Sequence, residues 1–250
     1  MAAFPEGVSG LALCEGERVL AAALLVDHPS WSALALARLA LDPDIPPEAA
    51  LPLLAWAEAC AGARGLRVSL HRAPGVGALL AGRGFALTER FLLMRLDGPA
   101  AEPGPPPAGT RPIAAADLDV DAFLAMSNAV FEGVPGALPM SPAGWAALVA
   151  GEAFRPSLLH VLADPDGPVG FARGELGAEG AGVVEAVGVA SRGRGRGLGR
   201  WLLRSCQRAL AEAGARRHEL LVAESNAPAC ALYRAESYRV REARESWERV

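Results

Sequence analysis

The 250-residue chain contains no lysine, and all 24 of its basic residues are arginine. That excludes a nucleotide P-loop, which needs a lysine on the phosphates. Isoleucine and threonine are nearly absent, at two residues each, while Ala, Gly, Pro and Arg abound. The bias reads as high-GC coding, so each arginine says less about function than usual. The 4 cysteines, Cys14, Cys60, Cys206 and Cys230, lie far apart without a C-x-x-C pair. Cysteine metal-site spacing is therefore absent, and a disulfide framework is not expected at this length. His28, His71, His160 and His218 show no ligand spacing, so no metal is expected. The opening residues lack the basic and long apolar regions of a signal peptide. The longest clean apolar run, residues 19–26, is too short to span a membrane. A cytoplasmic location follows as the expectation, with no membrane partner. The net charge of −4 gives no general pull toward nucleic acid.

What is present is 52% hydrophobic residues, ample for a core, in one large domain or two small ones. Residues 97–109 hold a Pro/Gly-rich stretch that cannot form a helix or a central strand, and read as a semi-extended linker. They divide the chain into residues 1–96 and 110–250. The second part reads as strand, helix, helix, three strands, helix, strand, helix, strand. Its fourth strand over 182–189 feeds a glycine turn, and an amphipathic helix over 198–213 follows, with Leu198, Trp201, Leu202, Ala209 and Leu210 on its apolar side. Asn226 is placed to cap the last helix, with Pro228 in its first turn.

An internal repeat links the two parts. Residues 37–41 resemble 185–189, and an apolar helix follows each, over 51–61 and 198–213. Later, residues 79–85 lie over 232–238, and a closing strand follows in both copies. The two domains are expected to share a fold, the first copy being shortened at its N-terminus.

The segment 194–199 reads R-G-R-G-L-G. Gly195, Gly197 and Gly199 let backbone N–H groups turn into one small space without Cβ interference. The helix start adds orphan donors and a positive dipole end, a setting for phosphate or pyrophosphate. An Arg-Gly run alone would also suit RNA, but the flanking Val-rich strand, the amphipathic helix and the acidic net charge argue against that. A dinucleotide fingerprint would need a further glycine and an acid closing the next strand.

Together, Val189, the R-x-x-G-x-G turn at 194–199 and the later N-x-x-A-x-x-L-Y run at 226–233 resemble the GNAT superfamily of acyl-CoA-dependent N-acyltransferases. The resemblance covers residues 110–250 well and the first part only as a degraded copy. It implies an α/β (α+β) fold of two GNAT-like domains, each a mixed, mostly antiparallel sheet flanked by helices. It implies acetyl-CoA as cosubstrate and direct attack by an amine, from a small molecule, peptide or protein. The amides of Gly195, Arg196, Gly197, Leu198, Gly199 and Arg200 would bind the pyrophosphate, with charge from Arg194, Arg196 or Arg200. Strand residues Val187, Gly188 and Val189 would splay from the next strand and pair with pantetheine, with the Val187 N–H near the thioester carbonyl. Asn226 would cap its helix and contact the cofactor. Tyr233 would protonate the leaving thiolate, and Glu185 is the candidate base for the amine. Two departures from the family pattern are Ser191, where Pro is common, and Ser237-Tyr238 in place of Gly-Phe.

The loop 132–140, with Phe131, Leu138, Met140 and Trp145 around it and Glu132 in it, is a candidate acceptor wall or a plain surface loop. Cys206 and Cys230 read as buried packing residues rather than nucleophiles. In the first part, D-P-D-I-P-P-E at 42–48 occupies the glycine-loop position and Leu80 the tyrosine position. Three carboxylates would repel a pyrophosphate and three prolines remove donors, so this copy is expected not to bind CoA. The alternative to an enzyme is an acyl-CoA-binding sensor or regulatory protein. The acceptor, the acyl chain and the oligomeric state, a homodimer being one candidate, are open at this point.

Overall fold

The computed structural model describes residues 8–26, 34–62, 65–71, 73, 75–135, 137 and 139–249. In chain order the strands are β1 (Val8–Glu15), β2 (Arg18–Val26), β3 (Leu34–Leu41), β4 (Gly65–His71), β5 (Ala86–Asp97), β6 (Arg111–Ile113), β7 (Leu159–Asp164), β8 (Gly167–Leu176), β9 (Ala181–Val189), β10 (Arg217–Ala223) and β11 (Arg239–Arg249). The helices are α1 (Leu51–Ala61), α2 (Val76–Gly82), α3 (Val120–Phe131), α4 (Pro142–Ala150), α5 (Leu198–Glu212) and α6 (Ala227–Ala235). The chain divides into two compact units, one up to Leu92 plus the segment from Glu242 onward, the other Leu93–Arg241. This differs from the division at 97–109, and the difference has a physical cause. The outer edge of β4 needs a hydrogen-bonding partner. The end of β11 supplies it, from Glu245 opposite Leu70 to Arg249 opposite Leu66. The half-buried Trp247 packs there on the first core.

In the first unit β1, β2 and β3 run antiparallel, and β3 and β4 run parallel. The alternation of β4 buries Leu66, Val68 and Leu70 against Leu53, Leu54 and Ala57 of α1. In the second unit β6, β7, β8 and β9 are antiparallel neighbours, and β9 pairs parallel with β10.

Helix α5 packs on β7, β8 and β9 through Leu198, Leu202, Leu203, Cys206 and Leu210, all fully buried. Each such leucine contributes roughly 1.5–3 kcal/mol by leaving water. Trp201 and Ala209 flank this face rather than belonging to it. The opposite face of the sheet carries α3, whose Phe123 meets Phe171 of β8 edge-on at 5.1 Å. Asp119 caps α3 by accepting from Ala122 N–H, so the helix starts at Val120. The 97–109 stretch is indeed without helix or strand beyond Asp97, but it is fastened along α5. Trp201 Nε1 donates to Gly104 O at 3.1 Å, Arg204 Nη1 to Glu102 O at 3.4 Å, and Arg208 pairs with Glu102.

The internal repeat is visible bond by bond. Phe85 N–H donates to Leu80 O at 3.0 Å, and Tyr238 N–H to Tyr233 O at 3.0 Å. Gly84 N–H reaches Ala81 O as Ser237 N–H reaches Arg234 O. The first residue of each turn braces an earlier helix with opposite sign: Arg83 pairs with Glu58 of α1, and Glu236 with Arg200 and Arg204 of α5. Gly84 has φ +83° and Ser237 φ +66°, so the serine adopts a backbone region that disfavours a Cβ. Ser237→Gly is expected to raise stability by about 0.5–1 kcal/mol, the relief of that strain less the entropy of a freer unfolded chain. A denaturant midpoint that stays or falls would contradict this.

Candidate active site

The pairing of β9 with β10 runs from Ala181 opposite Arg217 to Val184 opposite Leu220 and then stops. Both strands continue, β9 to Val189 and β10 to Ala223, so a gap opens between them. The ladder on the other side of β9 fixes which backbone groups face that gap. Ala190 N–H donates to Val169 O, and Val189 and Val187 stand opposite Gly170 and Ala172. In an antiparallel ladder alternate residues point their amides to opposite sides. The amides of Gly188 and Ala190 therefore face β8, and those of Val187 and Val189 face the gap. Gly188 has a packing role: a Cβ there would lie 2.8 Å from Val130 and 3.3 Å from Phe131 of α3.

The glycine turn closes one end of the gap. Gly195 and Gly197 have φ of +75° and +80°, and a Cβ on either would meet nothing within 4 Å. Their glycines thus serve backbone direction and leave open space beside the chain. Gly197 is the N-cap of α5 and supplies no side-chain cap. The first intrahelical bond is Trp201 N–H to Gly197 O, which leaves the Leu198, Gly199 and Arg200 amides as orphan donors. Gly199 lies where three motif segments meet, its Cβ position 3.5 Å from Leu232 of α6 and 3.7 Å from Val189 of β9.

The three arginines of this turn are not equivalent. Arg196 Nη2 donates to Ala108 O at 2.9 Å, and Arg200 pairs with the buried Glu236 at 2.9 Å. Arg194 is exposed and forms no ion pair with a described residue. Arg192 braces the β7–β8 hairpin through Asp164 at 3.1 Å and Pro168 O at 2.8 Å.

Helix α6 begins as the sequence predicts, with Asn226 Oδ1 accepting from Ala229 N–H at 3.2 Å. Tyr233 is buried in its second turn, 5.9 Å from the Tyr238 ring. Burial, with the Cys230 and Cys206 thiols nearby, pushes the Tyr233 phenol up to about 12, so it stays protonated at neutral pH. Behind it the buried Gln207 donates to Tyr238 Oη at 2.9 Å. Burial likewise pushes the Cys206 thiol up to about 12, and the Cys230 thiol sits 3.6 Å from Ala223 O, so neither is a ready nucleophile.

Glu185 occupies a β-bulge. Arg173 stands opposite Ala186 and the next residue, Gly174, opposite Val184, which leaves Glu185 as the extra residue of β9. A bulge re-aims a side chain, and here the carboxylate comes to 3.7 Å from Arg173 Nη2. Burial holds its carboxyl above the ordinary value; Arg173 pulls the other way and Glu175 adds to the rise. Sequence spacing missed Arg173 and Glu236, because the one acts across strands and the other across helices.

The same positions in the first unit are closed. The β3–β4 pairing continues to Ala40 opposite His71, one residue short of the end of β3, so no gap forms. At the glycine-loop position Asp42 Oδ1 accepts from Asp44 N–H, Ile45 N–H donates to Asp42 O, and Arg18 pairs with Asp42 at 2.7 Å. Leu80, at the tyrosine position, is fully buried.

Around the 132–140 loop Phe131, Met140 and Trp145 border the α3 core, and Asn128 fastens the loop by bonding Met140 at 2.8 and 3.1 Å. Glu132 is exposed, and Leu138 lies outside the described residues. So does His28; His71, His160 and His218 are held below the ordinary imidazole value by burial. Among the described residues no group of three or more His, Cys, Asp or Glu could hold a metal, and no helix is long and apolar enough to cross a membrane.

Residues 136–236 match the Acetyltransferase (GNAT) family model. A GCN5-related N-acetyltransferase from Sphaerobacter thermophilus is similar over 94% of this chain and 78% of its own, with 21% identity and a TM-score of 0.77. A GCN5-related N-acetyltransferase from Kribbella flavida is 20% identical over 90% of this chain and 86% of its own, with a TM-score of 0.62. A tandem GNAT protein from the clavulanic acid biosynthesis pathway is 16% identical over 98% of this chain and 84% of its own, with a TM-score of 0.66. No curated protein matches the sequence significantly.

Proposed function

We propose that this chain is an N-acetyltransferase with one active site, in its second unit, acting on a primary amine, a reading supported by the match of residues 136–236 to the Acetyltransferase (GNAT) family model. The observation that carries the reading is the β9–β10 gap, with unpaired amides along one wall and the uncapped start of α5 at its end. The fit to acetyl-CoA is chemical: an extended diamide arm suits the free strand edge, and a pyrophosphate suits the orphan amides of a helix start. When bound, acetyl-CoA supplies a thioester carbonyl for direct attack by the amine.

This chain's residues then divide the work. The amides of residues 195–200 hold the pyrophosphate, and Arg194 is the arginine best placed to add charge, since Arg196 and Arg200 are already engaged. The Val187 N–H donates to the carbonyl oxygen, where negative charge develops. Tyr233, protonated through the neutral range, donates its O–H to the departing sulfur. Glu185 accepts the proton of the amine, and its raised carboxyl lies nearer to neutrality, where a base works best. Asn226 holds α6, and hence Tyr233, in place. No covalent enzyme intermediate is needed, in keeping with the burial of the Cys206 and Cys230 thiols. The cysteine usage fits a reducing cytoplasm.

Tyr233→Phe is expected to lower kcat for CoA release by about 100-fold or more while CoA affinity holds. Unchanged turnover would remove Tyr233 as the acid. CoA binding without release from any amine would mark a sensor instead. Gly197→Glu puts a carboxylate and a Cβ at φ +80° beside the orphan amides. It is expected to weaken CoA binding by about 100-fold in equilibrium titration. Undiminished affinity would sink the pyrophosphate-loop assignment.

A further inference from the structure

Arg173 is the least exposed of the described ion-paired arginines, its side chain 21% exposed. Its contacts are also the loosest: Nη1 is 3.8 Å from Glu175 Oε2, and Nη2 is 3.7 Å from Glu185 Oε2. Every other ion-paired arginine among the described residues has a carboxylate within 3.3 Å. A guanidinium carries five N–H donors in a planar fork. Held beside two carboxylates yet hydrogen-bonded to neither, with its free N–H groups reaching solvent, the fork has donors open to an incoming acceptor. The partner that matches a planar fork is a planar, bidentate anion, and a carboxylate is the simplest.

The placement says which carboxylate. Arg173 points to the same face of the sheet as Glu185, the proposed base for the amine, and lies one strand away from it. From these two groups we infer that the acceptor is an α-amino carboxylate, its ammonium on Glu185 and its carboxylate on Arg173. The two charges of such a zwitterion oppose those of the Arg173–Glu185 pair, giving an alternating ring of four charges in a partly dry site. A diamine would set a second cation against Arg173, and a dicarboxylate would set an anion against Glu175. Phe171, two residues before Arg173 on the same strand face, packs edge-on to Phe131 at 5.9 Å. The surface adjoining the guanidinium is therefore apolar, which suits an uncharged side chain on the acceptor.

This inference rests on the acetyltransferase reading, and its test separates the two. Titration calorimetry with CoA present would compare the standard L-amino acids with their carboxamides and their decarboxylated amines. The expected result is a subset of amino acids that bind about tenfold or more tightly than their matched carboxamides and amines. Arg173→Gln should erase that preference and Arg173→Lys restore it in part, because a point charge lacks the bidentate fork. CoA affinity, measured on the same variants, reports their folding. The wild-type ligand series decides the matter even if neither variant folds. If carboxamides or amines bind as well as the amino acids, or if no amino acid binds, the inference fails. CoA binding and amine acetylation would then still stand. Amino acid binding without CoA affinity would instead remove the acetyltransferase reading.

Discussion

Four residue pairs between β9 and β10, ending at Val184 and Leu220, set up everything the second unit offers. Had the ladder run on to Val189, the amides of Val187 and Val189 would be spent inside the sheet. Because it stops, a strand edge is left unpaired in the middle of a fold, where such edges are normally covered. The surroundings keep that opening in being. On one side the β8 ladder holds β9 in register through Val189. On the other, α6 follows β10 directly, capped by Asn226, and Glu236 ties its end to Arg200 and Arg204 of α5. The glycine turn then sits at the mouth of the gap with its donors uncommitted.

The first unit shows what the same architecture becomes without that interruption. Its turn after α2 repeats the hydrogen bonds of the turn after α6, and its helix brace repeats with the charges exchanged. Yet β3 and β4 are paired nearly to the end of β3, prolines and an aspartate turn consume the loop, and Leu80 fills the place of Tyr233. Fold and site are thus separable in this chain. The repeat preserves the core contacts, while a change in strand pairing and in one loop removes the free strand edge and the uncommitted turn amides.

Much of this was legible in the sequence because it rests on local chemistry. The glycines that need positive φ, the Asn-Pro helix start, the Pro-rich stretch and the repeat around Leu80 and Tyr233 all carry their cause in adjacent residues. What was not legible involves partners far apart in the chain. The sequence pattern assigns all of β11 to the second part, whereas its end completes the first unit by pairing with β4. Trp201 fits the apolar period of α5 but flanks that face, because its indole N–H finds Gly104 O in the 97–109 stretch. Likewise, nothing in the spacing of Arg196 and Arg200 says that both are engaged, or that Arg173 is left with donors to spare. Only the bulge at Glu185 brings Arg173 and the candidate base together.

The central claim is that one half of the chain is open between its parallel strands and the other is closed. Amide hydrogen exchange with and without CoA tests it most directly, because it reads the backbone groups themselves. Added protection is expected at Val187, Val189 and residues 198–200, and none along β3, β4 or the start of α1. Protection in the first unit, or none between residues 187 and 200 at saturating CoA, would contradict it.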